Sequence, residues 1–172
     1  MELKTKRLTL RPADLSLLHS THAYAGNLEN TRLMMFLPYT DLEETAQMLR
    51  SAQEEWRKPL PGRYEFAIFL GTQHIGGITL YMQENRSEAE LGWVLHRDYW
   101  RQGYATEAAL ALMDFARSIG VTRIFACCDK ENIASWKTME KLGMHLADAS
   151  GMRTNRSTGA ERRVELVYEI RW

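Results

Sequence analysis

Three strand-like segments follow one another in the middle of the chain, and their order constrains the fold more than any other feature. They are YEFAIFL, HIGGITLYM and EAELGWVLH, at residues 64–70, 74–82 and 88–96. Each is rich in aromatic, β-branched or large apolar residues, and only the turn-forming stretches GTQ and QENRS separate them. Because no helical pattern fits between them, the sequence predicts an antiparallel meander.

Helical and strand patterns surround this meander. Before it, the sequence predicts a strand at residues 7–11 and helices at about 14–25 and 41–56, with Asp14 and Asp41 placed to cap them. After it, the prediction is a helix at about 103–118, a strand at 123–128, a helix at about 132–142 and closing strands at 144–150 and 163–172. This order predicts one α/β domain over residues 1–172, with a mixed, largely antiparallel twisted sheet of about seven strands and helices on both faces.

Charge and hydropathy exclude several classes of function. The 172 residues carry 22 basic and 22 acidic side chains without a long block of like charge, so neither a nucleic-acid-binding stripe nor a polybasic membrane anchor is expected. No apolar run approaches the ~20 residues that span a bilayer, and the segment MELKTKRLTLRP lacks the apolar core of a signal peptide. We therefore expect a cytoplasmic protein with a compact partner or substrate.

Two adjacent cysteines, Cys127 and Cys128, lie within a predicted strand. Neighbouring strand residues point to opposite faces of a sheet, so a disulfide between them is not expected, and their spacing does not suit a zinc site. No activating base is evident beside either thiol. The sequence therefore assigns them to packing and predicts no metal site.

The stretch YWRQGYATEA, at residues 99–108, joins the last strand of the meander to a helix. Gly103 and Ala105 keep bulky side chains away from the turn, so its backbone amides and the helix N-terminus can point at one external group. Such a turn suits a phosphate or pyrophosphate, but an ordinary strand-to-helix turn explains the same residues equally well. The motifs of the P-loop and of the dinucleotide-binding turn are both missing.

Longer segments around this turn resemble a known family. The stretches AELGWVLHRDYWRQGYATEAALALMDFA and DKENIASWKTMEKLGM are similar to those of the GNAT N-acetyltransferase superfamily. The stretches RLTLRPAD and PYT add a likeness to its RimJ/RimL-type branch, which acetylates the N-terminal amines of ribosomal proteins. One departure is Trp100, which stands where the superfamily usually has Gln or Arg.

The resemblance implies a GNAT-like fold with acetyl-CoA as cosubstrate. In that fold the strand before the turn diverges from its neighbour, and the pantetheine arm lies in the gap against backbone positions that match Val94 and Leu95. An amide near Leu95 would polarise the thioester carbonyl. The resemblance places the pyrophosphate on the turn, at positions that match Arg101, Gln102, Gly103, Tyr104, Ala105 and Thr106.

Three further side chains are candidates for contact with the reacting groups. Strand alternation puts Glu90 on one face with Gly92 and Val94, and the superfamily often has a catalytic glutamate at this position. Glu90 is accordingly the candidate base, acting directly or through water, while a surface ion pair is the alternative. By resemblance Asn132 contacts the pantetheine and Ser135 the departing thiolate, although Asn132 also suits a helix N-cap. His96 is a minor alternative as base.

The acceptor amine is left open between two classes. The branch favours a protein N-terminus, and a small amine such as an aminoglycoside or polyamine is the alternative; a sensor that binds acyl-CoA without turnover is a third interpretation. Acceptor contacts are expected in the loops at residues 24–39, 83–87 and 150–161. The basic residues of RTNRSTGAERR could meet an acidic partner, but solvation is the favoured interpretation. Dimers are common in the branch, so a homodimer is compatible with the resemblance.

Overall fold

The computed structural model describes all residues 1–172. Its nine strands are β1 (Leu3–Lys4), β2 (Leu8–Pro12), β3 (Arg63–Leu70), β4 (Gln73–Met82), β5 (Glu88–Leu95), β6 (Arg123–Asp129), β7 (His145–Asp148), β8 (Met152–Thr154) and β9 (Arg162–Arg171). Its α-helices are α1 (Leu18–Ala25), α2 (Leu28–Thr31), α3 (Leu42–Arg57), α4 (Tyr104–Ser118) and α5 (Ile133–Lys141).

The strands form a sheet in the order β1-β2-β3-β4-β5-β6-β9-β7, with β8 paired to β9. Every neighbouring pair is antiparallel except β5 and β6, which run parallel. The predicted meander and the mixed, largely antiparallel sheet are therefore confirmed. The sheet has more strands than the predicted seven because two short strands, of two and three residues, escape sequence patterns of that length.

Helices cover both faces of the sheet, as predicted. On one face the apolar side of α4, with Ala109, Leu112 and Ala116 fully buried, packs over the central strands. On the other face Leu49 and Ala52 of α3 pack against β3, and α1 lies beside β4. The second face carries fewer large apolar side chains, so it has room for polar groups of a binding site.

The predicted helix starts have local causes that the structure confirms. Asp14 accepts a hydrogen bond from the Ser16 amide at 2.8 Å, in a short 3-10 turn that leads into α1. Asp41 accepts from the Glu44 amide at 2.8 Å and begins α3. Each cap satisfies an amide that the helix itself leaves without a partner.

The segment between α1 and α3 contains one helix that the sequence did not predict. The four-residue α2 lies within residues 24–39, where the sequence predicts a loop. Asn27 caps it by accepting from the Asn30 amide at 3.0 Å. A single turn of helix is too short to show an apolar period, which is why the pattern missed it.

None of the helices combines the length and the apolar character that crossing a membrane requires.

Candidate active site

The parallel strands β5 and β6 diverge and leave a gap in the sheet. Their pairing runs from Glu88 and Arg123 to Glu90 and Phe125 and then stops. Beyond that point β5 continues to Leu95 and β6 to Asp129 without a common ladder. Since parallel strands end at the same edge of a sheet, the gap widens toward that edge, as the resemblance implies.

Backbone alternation in β5 decides which residues face this gap. The Ser87 carbonyl accepts a hydrogen bond at 2.8 Å from the Thr122 amide, on the β6 side. The Glu88 carbonyl accepts one at 2.9 Å from the Gln83 amide, on the β4 side. Because the backbone of successive strand residues points to opposite neighbours, odd-numbered residues of β5 face β6 and even-numbered ones face β4.

This alternation separates the two predicted backbone contacts. Leu95 faces the gap, whereas Val94 lies opposite Gly77 of β4 and its backbone points to that strand. The side chain of Val94 packs beside Tyr24 and Leu37 on the second face of the sheet. The backbone of the neighbouring residue Trp93 also faces the gap.

The end of β5 is held in place by two side chains. The Leu95 carbonyl accepts hydrogen bonds from Asn30 Nδ2 at 2.8 Å and from Trp100 Nε1 at 2.9 Å. Asn30 in turn accepts from the Arg97 amide at 2.7 Å. Trp100, the departure from the superfamily pattern, therefore anchors the strand that leads into the turn.

The close contact between β4 and β5 orients one peptide group. The Val94 carbonyl lies against Gly76 of β4. The N–H and C=O of a trans peptide point in opposite directions, so the Leu95 N–H of the same peptide points into the gap. This amide is the donor that could bind a developing oxyanion.

The turn after β5 has two residues in the left-handed region. Arg101 has φ +59° and Gly103 has φ +80°, and α4 begins at Tyr104 directly afterwards. The first amides of α4 have no partner within the helix and lie at its positive end. Ala105 and Thr106, in the first turn of α4, add little bulk. The strand-to-helix turn that the sequence predicts is thus present, with small residues at these positions.

Arg7, which the sequence analysis did not single out, supports this turn. Its Nη1 donates to the Gln102 carbonyl at 3.0 Å, and its Nε pairs with Glu107 Oε2 at 2.6 Å. Thr5 Oγ1 donates to the other oxygen of Glu107 at 2.5 Å. Burial acts in the opposite direction, but these bonds hold the pKa of Glu107 below its usual value. With the Gln102 carbonyl turned toward Arg7, the Gly103 amide faces away from it.

An open groove of about 550 Å³ begins beside Gly103 and follows the outer side of α4. Lys4 of β1 and Lys141 of α5 lie along its walls. The carboxylates of Glu107 and Asp114 line the same groove.

Glu90 is half-buried, on the same face of the sheet as Val94. Its carboxylate makes no hydrogen bond or ion pair within the protein, and Tyr81 lies opposite it on β4. Burial, and then the negative charge of Glu165, raise the pKa of Glu90, while Arg153 opposes them. The predicted alternative, a cation paired with Glu90, is not present. His96, the other candidate base, accepts a hydrogen bond from the Asp98 amide at 3.3 Å and caps a 3-10 turn.

Asn132 and Ser135 lie at the same edge of the sheet as the turn. Since α5 follows β6 as α4 follows β5, both helices begin where the gap opens. Asn132 Oδ1 accepts from the Ser135 amide at 3.3 Å, which confirms the N-cap. The side-chain nitrogen Nδ2 of Asn132 and the hydroxyl of Ser135 have no partner within the protein. Both groups therefore remain available to a ligand.

The cysteines are free, and neither suits nucleophilic chemistry. Cys127 is half-buried on the face of Glu90, and Cys128 is buried in the core. Burial is the main cause that raises the pKa of each thiol to about 12. Both thiols are therefore protonated near neutral pH.

Two of the predicted acceptor loops contact each other. The Arg156 amide donates to the Met34 carbonyl at 3.3 Å, and Ser157 Oγ donates to the Arg32 carbonyl at 2.6 Å. Arg156 also forms an ion pair with Glu44 at the start of α3. These contacts bridge the second face of the sheet. The third loop, at residues 83–87, lies at the opposite end of β5 from Leu95.

The prediction that the basic residues of RTNRSTGAERR are solvated is wrong for two of them. Arg153 is buried and pairs with Glu165 at 3.3 Å, and the largely buried Arg163 pairs with Asp129 at 2.5 Å. Arg156 is exposed, although it forms the ion pair with Glu44. Glu165 and Asp129 lie 12 and 34 positions from their partners, so no local charge pattern could reveal these two pairings.

This fold and site define the class of protein. The family described as acetyltransferase (GNAT) domain matches residues 7–145, which is most of the chain, and the chain belongs to that family. The protein is therefore an acyltransferase that uses acetyl-CoA as its cosubstrate. The family predicted from the sequence is confirmed.

Particular relatives agree with this assignment. The chain is 31% identical over 143 residues to the uncharacterized N-acetyltransferase p20 of Bacillus licheniformis, a match that covers 81% of this chain and 80% of that protein. A GNAT-family acetyltransferase from Bacillus anthracis superposes with a TM-score of 0.82 and 26% identity, covering 99% and 98% of the two chains. RimL, the ribosomal L7/L12 alpha-N-protein acetyltransferase in complex with coenzyme A, superposes with a TM-score of 0.83, 19% identity and the same coverages.

Proposed function

We propose that the protein transfers the acetyl group of acetyl-CoA directly to a primary amine, and that the preferred acceptor is the α-amine of a protein N-terminus. One observation carries the proposal: the gap between β5 and β6 leads from the turn at Gly103 to the unpartnered carboxylate of Glu90. Acetyl donor and acceptor amine can therefore meet in the gap from opposite faces of the sheet.

Acetyl-CoA is bound mainly by backbone groups. The pyrophosphate accepts hydrogen bonds from amides of the turn at residues 101–106, which Arg7 supports through the Gln102 carbonyl. The pantetheine arm pairs with the backbone of Trp93 in the gap, next to the Leu95 amide. Asn132 offers its side-chain amide to the same arm.

The transfer step uses groups on both sides of the gap. An N-terminal ammonium has a pKa near ~8, so a base must take its proton before attack. Glu90 takes this proton, directly or through a water molecule, and its raised pKa makes it a better proton acceptor than an exposed glutamate. The amine nitrogen then attacks the thioester carbon and gives a tetrahedral oxyanion, which the Leu95 amide stabilises. When the C=O bond re-forms and the C–S bond breaks, the second proton of the nitrogen passes through the Ser135 hydroxyl to the departing thiolate.

The preference for a protein N-terminus is supported by RimL, which shares this fold and acts on an N-terminus. The contacts between residues 32–34 and residues 156–157 join two of the loops that are expected to contact the acceptor. A small amine is the second candidate, because the same loops suit it as well.

The proposal is tested by coenzyme A release with N-terminal peptides, aminoglycosides and polyamines as acceptors, with mass spectrometry to locate the acetyl group. We expect turnover with peptides and acetylation of their α-amine. Turnover with small amines alone would replace the preferred acceptor by the second candidate. Tight acetyl-CoA binding without turnover on any amine would favour a sensor and contradict the proposal.

Two variants separate binding from chemistry in this assay. Gly103→Glu places bulk and negative charge in the phosphate-binding turn and should abolish acetyl-CoA binding in calorimetry. Glu90→Gln should leave acetyl-CoA affinity intact and lower turnover. Glu54→Gln, at an exposed position on α3, is the matched control and should resemble the wild type.

A further inference from the structure

Glu65 of β3 is an enclosed carboxylate that the protein itself only partly satisfies. Its Oε2 accepts a hydrogen bond from Thr79 Oγ1 at 2.7 Å, while Oε1 has no hydrogen-bond partner. No basic nitrogen lies within 4.0 Å of either oxygen, and Arg63 acts on it only over a longer distance. Burial raises the pKa of Glu65 and so favours its neutral form, whereas a cation supplied from outside would stabilise the charged carboxylate.

Three tyrosines surround this carboxylate. The Tyr24 hydroxyl lies 3.3 Å, and Glu65 Oε1 3.5 Å, from the point where a Cβ of Gly77 would be. Burial, and then the charge of Glu65, raise the pKa of Tyr39 to about 12, and the same two causes raise the pKa of Tyr81. Aromatic rings beside a carboxylate form a suitable environment for an ammonium group.

Glu65 lies on the same face of the sheet as Glu90 and close to β5. Glu65, Thr79 and Gly92 lie side by side on β3, β4 and β5. Two strand spacings place the Cα atoms of Glu65 and Gly92 about 10 Å apart. Gly92 has no side chain on this face, and the Tyr81 ring lies 3.6 Å from the point where its Cβ would be.

We propose that Glu65, with Thr79 and the three tyrosines, forms an acceptor subsite that binds a second ammonium group, within about 10 Å of the amine that is acetylated. This inference rests on the proposed function, because it assigns the part of the acceptor beyond the reacting nitrogen. The second ammonium belongs either to a small diamine or to a lysine side chain near the start of a peptide. Glu65 is a specificity-determining residue and does not take part in the transfer step.

The test uses acceptor pairs that differ only in the second charge. Diaminobutane is compared with aminobutane, and the peptide Ser-Lys-Ala-Ala with Ser-Leu-Ala-Ala. We expect the wild type to prefer at least one cationic member through a KM at least ~10-fold lower, as one charge-assisted hydrogen bond provides. The pair that shows the preference identifies the source of the ammonium.

Glu65→Gln is the decisive variant, because it removes the charge but keeps the size of the side chain and a partner for Thr79. The preference should disappear in this variant, while kcat, the KM of the neutral acceptors and the affinity for acetyl-CoA stay unchanged. Glu54→Gln should retain the preference. A kcat that falls equally for all acceptors, with the preference intact, would overturn the assignment.

Direct binding distinguishes failure of this inference from failure of the proposed function. Titration calorimetry of diaminobutane and of the lysine peptide, in the presence of coenzyme A, requires no turnover. Binding at least ~10-fold weaker in Glu65→Gln than in the wild type supports the subsite even if no amine is acetylated. Equal binding of both cationic probes to the two proteins refutes the subsite, whether or not the wild type acetylates amines.

Discussion

Replacement of Gly76 by alanine tests the proposed oxyanion donor, because β4 and β5 are closest there. A Cβ on Gly76 would lie 2.7 Å from Leu95 Cδ2, 2.9 Å from Leu95 Cα and closer still to the Val94 carbonyl oxygen. Ordinary contact distances would require the Val94–Leu95 peptide to move by roughly 1 Å. That peptide carries the amide assigned to the oxyanion.

The size of the effect follows from this displacement. A misplacement of about 1 Å in a catalytic group costs roughly 10²-fold in rate, and loss of one oxyanion donor costs about 10² to 10³ in kcat. Overpacking of a sheet interior costs about 1–3 kcal/mol of unfolding free energy. For a chain of this length each kcal/mol lowers Tm by about 2–4 °C. The phosphate-binding turn is not displaced, so acetyl-CoA affinity should change by less than about tenfold.

Three measurements are combined: the rate of coenzyme A release for kcat, calorimetric titration for acetyl-CoA affinity and thermal unfolding for Tm. Gly92→Ala is the control for stability and acetyl-CoA affinity, since its Cβ would have its nearest neighbour at an ordinary 3.6 Å. A Gly76→Ala protein with reduced Tm and the kcat of the wild type would refute the role of the Leu95 amide. A protein unchanged in both would refute the close approach of the two strands.

Three other variants test separate parts of the structure. Arg7→Met should weaken acetyl-CoA binding by roughly tenfold, because it removes the hydrogen bond to the Gln102 carbonyl, and kcat should change little. Calorimetric titration measures the affinity, with Arg50→Met as the control. Equal affinity in the two variants would contradict the prediction. Glu90→Gln should raise the urea midpoint of unfolding at pH ~7 but not at pH ~4. The folded-state pKa of Glu90 is raised, so the stabilisation by its neutral form is complete below the unfolded-state pKa near ~4.3 and is lost as pH rises through the folded-state pKa. A lower midpoint at pH ~7 would contradict the burial of this charge. Glu44→Gln should lower Tm at neutral pH, because the hydrogen bond from Arg156 lowers the pKa of Glu44 to about 2. Its stabilisation is then lost as pH falls from about 4.3 toward that value, so a Tm difference that persists below it would contradict the assignment.

Much of the fold could be predicted because its causes are local in sequence. Asp14, Asp41 and Asn132 each cap a helix through an amide two or three residues away, and a short pattern is enough to recognise them. The turn at Gly103 could be predicted for the same reason, since the need for a left-handed residue before α4 is a property of one position. The family likeness then placed a ligand on that turn.

The roles of Val94 and Leu95 could not be separated by sequence alone. Strand alternation predicts that the backbones of the two residues point to opposite neighbours, but only the register of β5 against β4 and β6 shows which neighbour is missing. The same register places the backbone of Trp93 at the gap. A shift of one residue would have reversed every one of these assignments.

The contacts that complete the site join distant parts of the chain. Arg7 reaches the turn across 95 positions, and Ser157 reaches Arg32 across 125. Glu65 lies in a segment whose apolar pattern predicts only a strand, and its polar neighbours come from three other segments. By itself the sequence determined the elements, their caps and the turn, because these depend on bonds between residues close in the chain. The open edge of β5, the support of the turn and the surroundings of Glu65 were decided by tertiary structure, because each depends on which distant segments pack side by side.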